Sequence, residues 1–149
     1  MIFIIAILIL SLDQLTKILA TNNLLLNQSL PVIKNIFHLS LIHNRGAAFG
    51  ILKNQIPLFI FTSFSAIILI IFNLKDERYR KLNIYSLSLG LILSGALGNF
   101  IDRLFFGYVI DFLDFRIWPV FNVADSAITI GAILLGYSIL FKKDKVFIK

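Results

Sequence analysis

The chain has 149 residues, of which 58% are hydrophobic and 15% are charged, and its formal net charge is +6. About a quarter of the residues in an ordinary soluble domain are charged, so this composition excludes such a domain and favours a membrane protein. The chain contains no cysteine, which excludes a Cys nucleophile, a disulfide framework and thiolate metal ligands.

Four apolar segments, each close to the length that crosses a bilayer, predict four transmembrane helices. The first has no basic segment before it and no small-residue cleavage site after it, so we expect a retained helix and not a cleaved leader. In the second, Pro57 falls in the first turn, where a helix tolerates proline. The predicted spans are residues 2–20, 56–74, 82–103 and 120–141.

Two less apolar segments are predicted to lie outside the bilayer. Residues 21–55 combine a β-prone run at 36–42 with the turn-forming sequence Asn44-Arg45-Gly46, which predicts a small hairpin lying against the bilayer surface. Residues 104–119 are predicted to form a short outer loop or helix, whose aromatic residues suit the membrane interface. The predicted fold is therefore a single all-α membrane domain, residues 1–149, in which a four-helix bundle carries an outer β-rich segment.

Two clusters of basic residues indicate the orientation of this bundle. Residues 75–81 and 142–149 each contain four Lys or Arg. Basic clusters can mark nucleic-acid binding, but beside long apolar segments they more often mark the cytoplasmic side. We therefore expect both termini in the cytoplasm and no nucleic-acid partner.

With this topology, the unusual polar residues fall near the membrane face opposite the termini. At helical spacing, one arc of the third helix carries Gly95, Asn99, Asp102 and Arg103. A similar arc of the fourth helix carries Asn122, Asp125, Ser126 and Thr129. Small residues on both helices would let them approach closely and enclose a narrow polar cleft. The small residues are Gly95, Ala96, Gly98, Ala124 and Ala127, and the converging polar ones are Asp13, Lys17, Asn44, Asn99, Asp102, Arg103, Asp111, Asn122 and Asp125.

Asp111 and Asp125 suggest amide-bond hydrolysis by paired carboxyl groups. Two carboxyl groups held close together cannot both ionise readily. One can then act as general base toward water, while the other stays protonated and polarises the scissile carbonyl. The alternative is that Asp125 caps the fourth helix or pairs with Arg103, and the residue pattern alone leaves both interpretations open.

Other polar residues have structural as well as functional interpretations. Asp13 and Lys17 have the i, i+4 spacing of an ion pair, which either holds the first helix in place or also positions a substrate. Asn44, Asn99 and Asn122 can hold a substrate backbone or orient a carboxylate, but each alone could equally be a turn or cap residue.

The remaining charged residues are expected to have simpler roles. Arg103, at a helix end, is expected to extend its charge toward the surface, and Asp114 and Arg116 are expected to form a solvated pair. His38 and His43 would point to opposite faces of a strand and lie about 140° apart on a helix. No Glu or Cys completes a site with them, so we expect no metal.

Five linked motifs occur in order along nearly the whole chain. They are Asp13-Gln14 with Lys17, Asn44-Arg45-Gly46-Ala47-Ala48-Phe49, Gly95-Ala96-Leu97-Gly98-Asn99 continuing to Asp102-Arg103, Val109-Ile110-Asp111-Phe112, and Phe121-Asn122-Val123-Ala124-Asp125-Ser126. Together with the four-span layout, they resemble lipoprotein signal peptidase, also called signal peptidase II, the aspartic peptidase of bacterial plasma membranes.

This resemblance implies a membrane aspartic endopeptidase whose catalytic pair is Asp111 and Asp125. Its substrate would be a prolipoprotein already modified with diacylglycerol, cleaved just before the lipidated Cys without a metal or organic cofactor. The active site would lie at the extracytoplasmic surface of the bacterial plasma membrane. Residues 21–55 would form the β-cradle, and residues 104–119 a mobile segment over the cleft. The implied supporting residues are Asp13, Lys17, Asn44, Gly95, Asn99, Arg103, Asn122 and Ala124.

We expect the prolipoprotein and membrane lipid as partners, and a monomer. Two other function classes fit parts of the pattern. A proton-coupled transporter could use Asp13 or Asp125, but its carboxylates would lie near the membrane midplane, whereas these cluster toward one surface. A non-catalytic scaffold would use Asp111 and Asp125 only in ion pairs. Cleavage of a lipidated precursor would separate the three classes.

Overall fold

The computed structural model describes residues 2–46, 52, 54–73 and 83–141. The basic clusters at 75–81 and 142–149, and the part of the second motif at 47–49, lie outside the described residues. The elements in chain order are helix α1 (Ile2–Asn23), strands β1 (Ser29–Ile33) and β2 (Phe37–Asn44), helices α2 (Ile56–Asn73) and α3 (Ile84–Phe106), strand β3 (Val109–Asp114) and helix α4 (Val123–Phe141).

The predicted helices are present in the structure, and α1, α3 and α4 are each long and apolar enough to cross a membrane. The apolar part of α2, Ile56–Phe72, is shorter, so a fourth crossing stays a prediction. Many large apolar side chains on the outer faces of these helices are exposed, as a surface in contact with lipid requires.

Helix α3 lies at the centre of the bundle and packs against α1, α2 and α4. Its buried Leu89 and Leu93 form one apolar core with Ala6 of α1 and with Ile67 and Ile70 of α2. The helix begins at a capping box formed by Asn83 and Ser86 and ends at Gly107, whose φ of 73° is readily adopted only by glycine. The chain therefore turns sharply from α3 into β3.

Glycines bring α1 and α4 close to α3 at the level of the polar residues. A Cβ atom on Gly95 would clash with the backbone oxygen of Ala124, and a Cβ atom on Gly98 would lie 2.5 Å from Asp13 Oδ2. Close approach of α3 and α4 through small residues is therefore confirmed.

The outer segment is a three-stranded antiparallel sheet in the order β1-β2-β3. Strands within residues 21–55 were predicted and are confirmed, but residues 109–114 form the third strand where a loop or helix was expected. In the sheet, Ile42 lies opposite Asp111 and Asn44 opposite Val109. Asn44 was expected in the β-rich segment and Asp111 in the separate loop or helix at 104–119, whereas the two residues lie on neighbouring strands of one sheet.

Strand β3 was not predicted because it is buried almost throughout. A buried strand lacks the alternation of apolar and polar residues by which a half-buried strand is recognised in a sequence. Its Ile110 and Phe112 pack into a second apolar cluster with Ala20, Leu24 and Leu41. This cluster holds the residues on both sides of Asp111 against the end of α1.

Candidate active site

A buried charged cluster joins α1 to α3. Lys17 Nζ lies 2.8 Å from Asp13 Oδ2 and 2.8 Å from Asp102 Oδ2, and it donates a hydrogen bond of 3.2 Å to Asn99 Oδ1. All three charged residues are buried. Burial of a lysine is tolerated when it is paired, and with two carboxylates around one ammonium the cluster carries one net negative charge when all three groups are ionised.

The two carboxylates of this cluster also hold the backbone next to the candidate catalytic residues. Asp13 Oδ1 accepts a 2.8 Å hydrogen bond from the N–H of Ala124, which precedes Asp125. Asp102 Oδ2 accepts a 3.0 Å hydrogen bond from the N–H of Ile110, which precedes Asp111. The start of α4 and the middle of β3 are thus fixed to the same buried cluster.

Helix α4 begins with a reciprocal pair of capping contacts. The Asp125 N–H donates to Asn122 Oδ1 at 2.8 Å, and the Asn122 N–H lies 3.4 Å from Asp125 Oδ2. This arrangement satisfies backbone donors that the helix itself leaves without partners. The capping role considered for Asp125 is therefore present, and it uses only one of the two carboxyl oxygens.

Three asparagines donate to the carboxyl groups of Asp111 and Asp125, and two of them, Asn99 and Asn122, connect these groups. Asn122 Nδ2 donates to Asp111 Oδ1 at 2.7 Å, and Asn44 Nδ2 donates to Asp111 Oδ2 at 2.9 Å. Asn99 Nδ2 donates to Asp125 Oδ1 at 2.7 Å, while Asn99 Oδ1 accepts from Asn122 Nδ2 at 3.1 Å. Every oxygen of the two carboxyl groups thus has a donor, and each still has capacity to accept a further hydrogen bond.

The pKa of Asp111 is raised from its ordinary value of 3.8 to about 7. Burial of the carboxyl group is the main cause, and the negative charge of Asp125 adds to it. Hydrogen bonds from Asn44 and Asn122 and the charge of Lys17 act in the opposite direction. Asp111 can therefore carry a proton near neutral pH, as paired carboxyl groups in acid–base catalysis require.

Arg103 lies at the edge of this site. Its guanidinium carbon is 4.9 Å from the centre of the Phe59 ring of α2, and Nη1 lies 3.4 Å from the backbone oxygen of Asn99. No ion pair joins Arg103 to Asp125 among the described residues, so the pairing considered for Asp125 is not formed. Nε of Arg103 is buried and has no hydrogen-bond partner in the described part of the chain.

The structure thus brings the ten residues named from the resemblance into one region, where Gly95 and Ala124 act through close packing and a backbone contact. Two participants were not among those ten. Asp102 holds Lys17 and the backbone of β3, and Gln14 Nε2 donates to Asp13 Oδ2 and Asp102 Oδ1, both at 3.2 Å. Both residues belong to the motifs quoted above, and Asp102 lies on the same arc of α3 as Asn99. Their positions in these motifs and on this arc were the sequence signal that could have identified them as site residues.

The expectation of a solvated pair at Asp114 and Arg116 was wrong in part. The pair forms at 3.0 Å and the Arg116 side chain is half-exposed, but Asp114 is buried and also accepts a 2.7 Å hydrogen bond from Ser40 Oγ. Burial of the carboxyl group acts to raise the pKa of Asp114, but the hydrogen bonds from Ser40 and Arg116 and the charge of Arg116 together hold that pKa below its usual range. A strand position covered by the sheet, and not a loop position, explains the difference.

The histidines lie elsewhere in the sheet. His38 Nδ1 is 2.9 Å from Ser29 Oγ, and the ring of His43 stacks on Tyr108 at 3.8 Å. Within residues 2–46, 52, 54–73 and 83–141, no group of three or more His, Cys, Asp or Glu side chains could hold a metal ion.

An open apolar groove of about 520 Å³ adjoins Asp125. Its walls come from the turn between β3 and α4 and from the first two turns of α4, and they include Phe115, Ile117, Trp118 and Ile130. The carboxyl group of Asp125 therefore lies next to a mostly apolar surface.

Comparisons with known proteins identify a family that agrees with a buried polar site in an apolar helical bundle. The model of the family described as signal peptidase (SPase) II matches residues 5–141. A lipoprotein signal peptidase of Halothermothrix orenii is 48% identical over 98% of this chain and 99% of its own length, and one of Moorella thermoacetica is 50% identical over 91% and 89%. A bacterial membrane enzyme solved by the in meso method at 2.3 Å resolution is 32% identical, with a TM-score of 0.87 over 99% of this chain and 94% of that one. This chain is therefore a membrane protease that belongs to the signal peptidase II family.

Proposed function

We propose that this protein is an aspartic endopeptidase that removes the signal peptide from diacylglyceryl-modified prolipoproteins, cleaving just before the lipidated Cys. The observation that carries the proposal is the connection of Asp111 and Asp125 through Asn99 and Asn122 beside an open apolar groove. The names of the curated relatives, lipoprotein signal peptidases, support the same substrate class.

In the proposed reaction, the two carboxyl groups share one proton and hold one water molecule. The ionised group takes a proton from the water, and the water oxygen attacks the scissile carbonyl carbon. The protonated group donates its proton to the carbonyl oxygen. When the tetrahedral intermediate collapses, the carbon–nitrogen bond breaks and the leaving amine takes the proton that came from the water. The hydroxyl group formed from the carbonyl oxygen returns its proton to the other carboxylate as the carbonyl re-forms, so the pair again holds one proton. Because strongly interacting carboxyl groups titrate as a unit, we assign these roles to the pair of Asp111 and Asp125 and not to either residue.

The surrounding residues position the pair in this proposal. Asn44, Asn99 and Asn122 fix the rotamers of the two carboxyl groups through the hydrogen bonds described above. Lys17 supports Asn99 from the buried cluster and contributes a positive charge that favours the ionised form of Asp111. Preorganised groups of this kind lower the barrier because they need not reorient during the reaction. No step in this scheme requires a metal or an organic cofactor.

The proposed setting is the plasma membrane of a bacterium, in which a monomer crosses four times with both termini in the cytoplasm. The site would then face the extracytoplasmic surface, where a lipidated precursor can reach it by lateral diffusion. Contacts with the remote lipid group can position the scissile bond, so an unlipidated precursor should react poorly.

The test is cleavage of a synthetic precursor by the purified full chain in lipid nanodiscs, with mass spectrometry of the products. The expected products are the free signal peptide and a polypeptide that begins with the S-diacylglyceryl Cys. The matched control is the same precursor with an unmodified Cys, which should be cleaved far more slowly. Cleavage at another bond, or equal rates for both precursors, would overturn the proposed specificity.

A further inference from the structure

The side-chain amide of Gln14 bridges two buried carboxylates that belong to different helices. Gln14 Nε2 donates to Asp13 Oδ2 on α1 and to Asp102 Oδ1 on α3, both at 3.2 Å. It also lies 3.4 Å from the backbone oxygen of Gly98. Both carboxylate residues are fully buried, whereas Gln14 is half-buried. The amide therefore gives hydrogen bonds to two carboxylates without adding a charge to the cluster.

Each of these carboxylates holds the backbone directly before one member of the proposed catalytic pair. Asp13 Oδ1 accepts the N–H of Ala124, and Asp102 Oδ2 accepts that of Ile110. The relative position of the two carboxylates therefore influences the relative position of the two reacting groups. A misplacement of about 1 Å between reacting groups can lower a rate by about 100-fold.

Lys17 also joins the two carboxylates, but it does not by itself fix the plane of Asp102. Lys17 Nζ contacts Asp102 at Oδ2, and the N–H of Ile110 contacts the same oxygen. Two contacts at one oxygen still allow the carboxylate to pivot about that oxygen. Within the described part of the chain, Gln14 Nε2 is the one hydrogen-bond donor to Oδ1, so this third contact fixes the plane.

Loss of the amide would leave Oδ1 of Asp102 buried without a donor. A buried charged oxygen without a hydrogen bond is strongly unfavourable, so the carboxylate should turn toward the donors that remain. Because Asp102 holds the N–H of Ile110, this rotation would move the segment of β3 that carries Asp111. The separation of Asp111 from Asp125 on α4 would change as a result.

We propose that Gln14 is a positioning residue for the pair of Asp111 and Asp125. Its amide holds Asp13 and Asp102 in one arrangement and thereby sets the separation of the pair. The proposal rests on the function proposed above and adds a residue to the same site. The hydrogen bonds of the Gln14 amide go to the cluster and to α3, so its replacement should change kcat and not KM.

The experiment compares two variants of similar size at this position, using the full chain in nanodiscs and the lipidated precursor. Gln14→Met removes both N–H donors, whereas Gln14→Glu keeps one donor when the introduced carboxyl group is protonated. Gln28→Met is the matched control, because Gln28 Oε1 accepts a 2.7 Å hydrogen bond from the Leu25 N–H outside the buried cluster. Thermal unfolding measures how far each variant is destabilised.

Gln14→Met should lower kcat about tenfold or more and change KM by less than about twofold. The kcat of Gln14→Glu should lie between those of Gln14→Met and the wild type. Its ratio to the wild-type kcat should rise as the pH falls, because protonation restores one donor. Gln28→Met should lose some stability but keep the wild-type kcat.

The alkaline limb of the pH profile separates positioning from a purely structural role. The negative charge of Asp125 helps to raise the pKa of Asp111, so a wider separation should lower that pKa. The alkaline limb of Gln14→Met should therefore move to lower pH. Among the described residues, the charged groups that act on Asp111 are Asp125, Lys17 and Arg103, and this variant replaces none of them. A variant that only loses stability should keep the wild-type limb.

A folded Gln14→Met with the wild-type kcat and pH profile would overturn the proposal, and so would an effect on KM alone. If Gln14→Met does not fold, Gln14→Glu decides, because a ratio to the wild-type kcat that is constant with pH would also overturn it. If the wild-type chain cleaves no lipidated precursor, it is the proposed function that fails.

Discussion

Asn122 and Asp111 are joined by a 2.7 Å hydrogen bond from the side-chain amide of one to the carboxyl group of the other. Asn122 is also the cap of α4, and its backbone N–H points to Asp125 Oδ2. One residue thus ties the start of a helix to a strand that belongs to the outer sheet. Any shift of β3 relative to α4 would change the separation of the two carboxyl groups, so the cap also sets the geometry of the site.

The first prediction concerns the pH dependence of cleavage. The pKa of Asp111 is raised to about 7, and the proposed mechanism needs one proton on the pair. Cleavage should therefore decline as the pH rises above about 7, because the pair then loses its last proton. Rates of the lipidated precursor measured across the pH range test this, and a rate that stays constant well above pH 7 would contradict it.

Replacement of Asn44 should change the pH at which the cleavage rate declines. Its hydrogen bond favours the ionised form of Asp111 and lowers the pKa of that group, so Asn44→Ala should shift the alkaline limb of the profile upward in pH. The maximal rate should also fall, because the carboxyl group loses an orienting contact. Asn23→Ala, at the exposed end of α1, is the control and should leave the profile unchanged.

The buried carboxyl group of Asp111 should lower the free energy of unfolding at neutral pH. Its folded pKa of about 7 exceeds the unfolded value near 3.8, so the folded state binds more protons in between and stability falls as the pH rises through this window. Asp111→Asn removes this dependence. Relative to wild type, its free energy of unfolding should improve between pH values of about 4 and 7, by up to a few kcal/mol. Thermal unfolding in detergent measures the difference, and a parallel pH dependence of both proteins would refute it.

Removal of the buried ammonium group of Lys17 should strongly destabilise the folded protein. Lys17→Met leaves Asp13 and Asp102 as two buried carboxylates without their cation, and breaking a buried pair in this way costs about 3–5 kcal/mol. Addition of Asp102→Asn in the same chain should recover part of that loss, because it removes one of the two like charges. Unfolding of the two single variants and the double variant tests the coupling. Simple additivity would mean that the groups do not act as a cluster.

The glycines of α3 and α4 allow a matched comparison of packing. Gly95→Ala should destabilise the bundle and slow cleavage, because its Cβ would meet the backbone of Ala124 and the side chain of Ile128. On α4, the Cβ of Gly136→Ala would meet no atom of the described residues within 4 Å, so this variant should be neutral or slightly stabilising through its better helix propensity. Thermal unfolding of both variants provides the measurement. Equal behaviour of the two would contradict the close approach of α3 and α4.

The helices could be predicted from the sequence because a membrane helix appears there as a long, nearly uninterrupted apolar segment. Apolar length identified the helices, and helical spacing placed Asn99 and Asp125 on facing arcs. The third strand was missed because a buried strand such as β3 has no alternation to detect. The buried role of Asp114 was missed for a related reason, since its partner Ser40 is 74 residues away and only strand pairing brings them together.

The most direct test of the account compares single-turnover cleavage of the lipidated precursor by wild type, Asp111→Asn, Asp125→Asn and the double variant, with thermal unfolding to verify that each is folded. If the two carboxyl groups act as one unit, each single variant should lose about 10²–10⁴-fold in rate, as expected for loss of acid–base catalysis. The double variant should then be little slower than either single one. A folded single variant that keeps near-normal turnover, or losses that multiply in the double variant, would contradict the claim that Asp111 and Asp125 share the reaction.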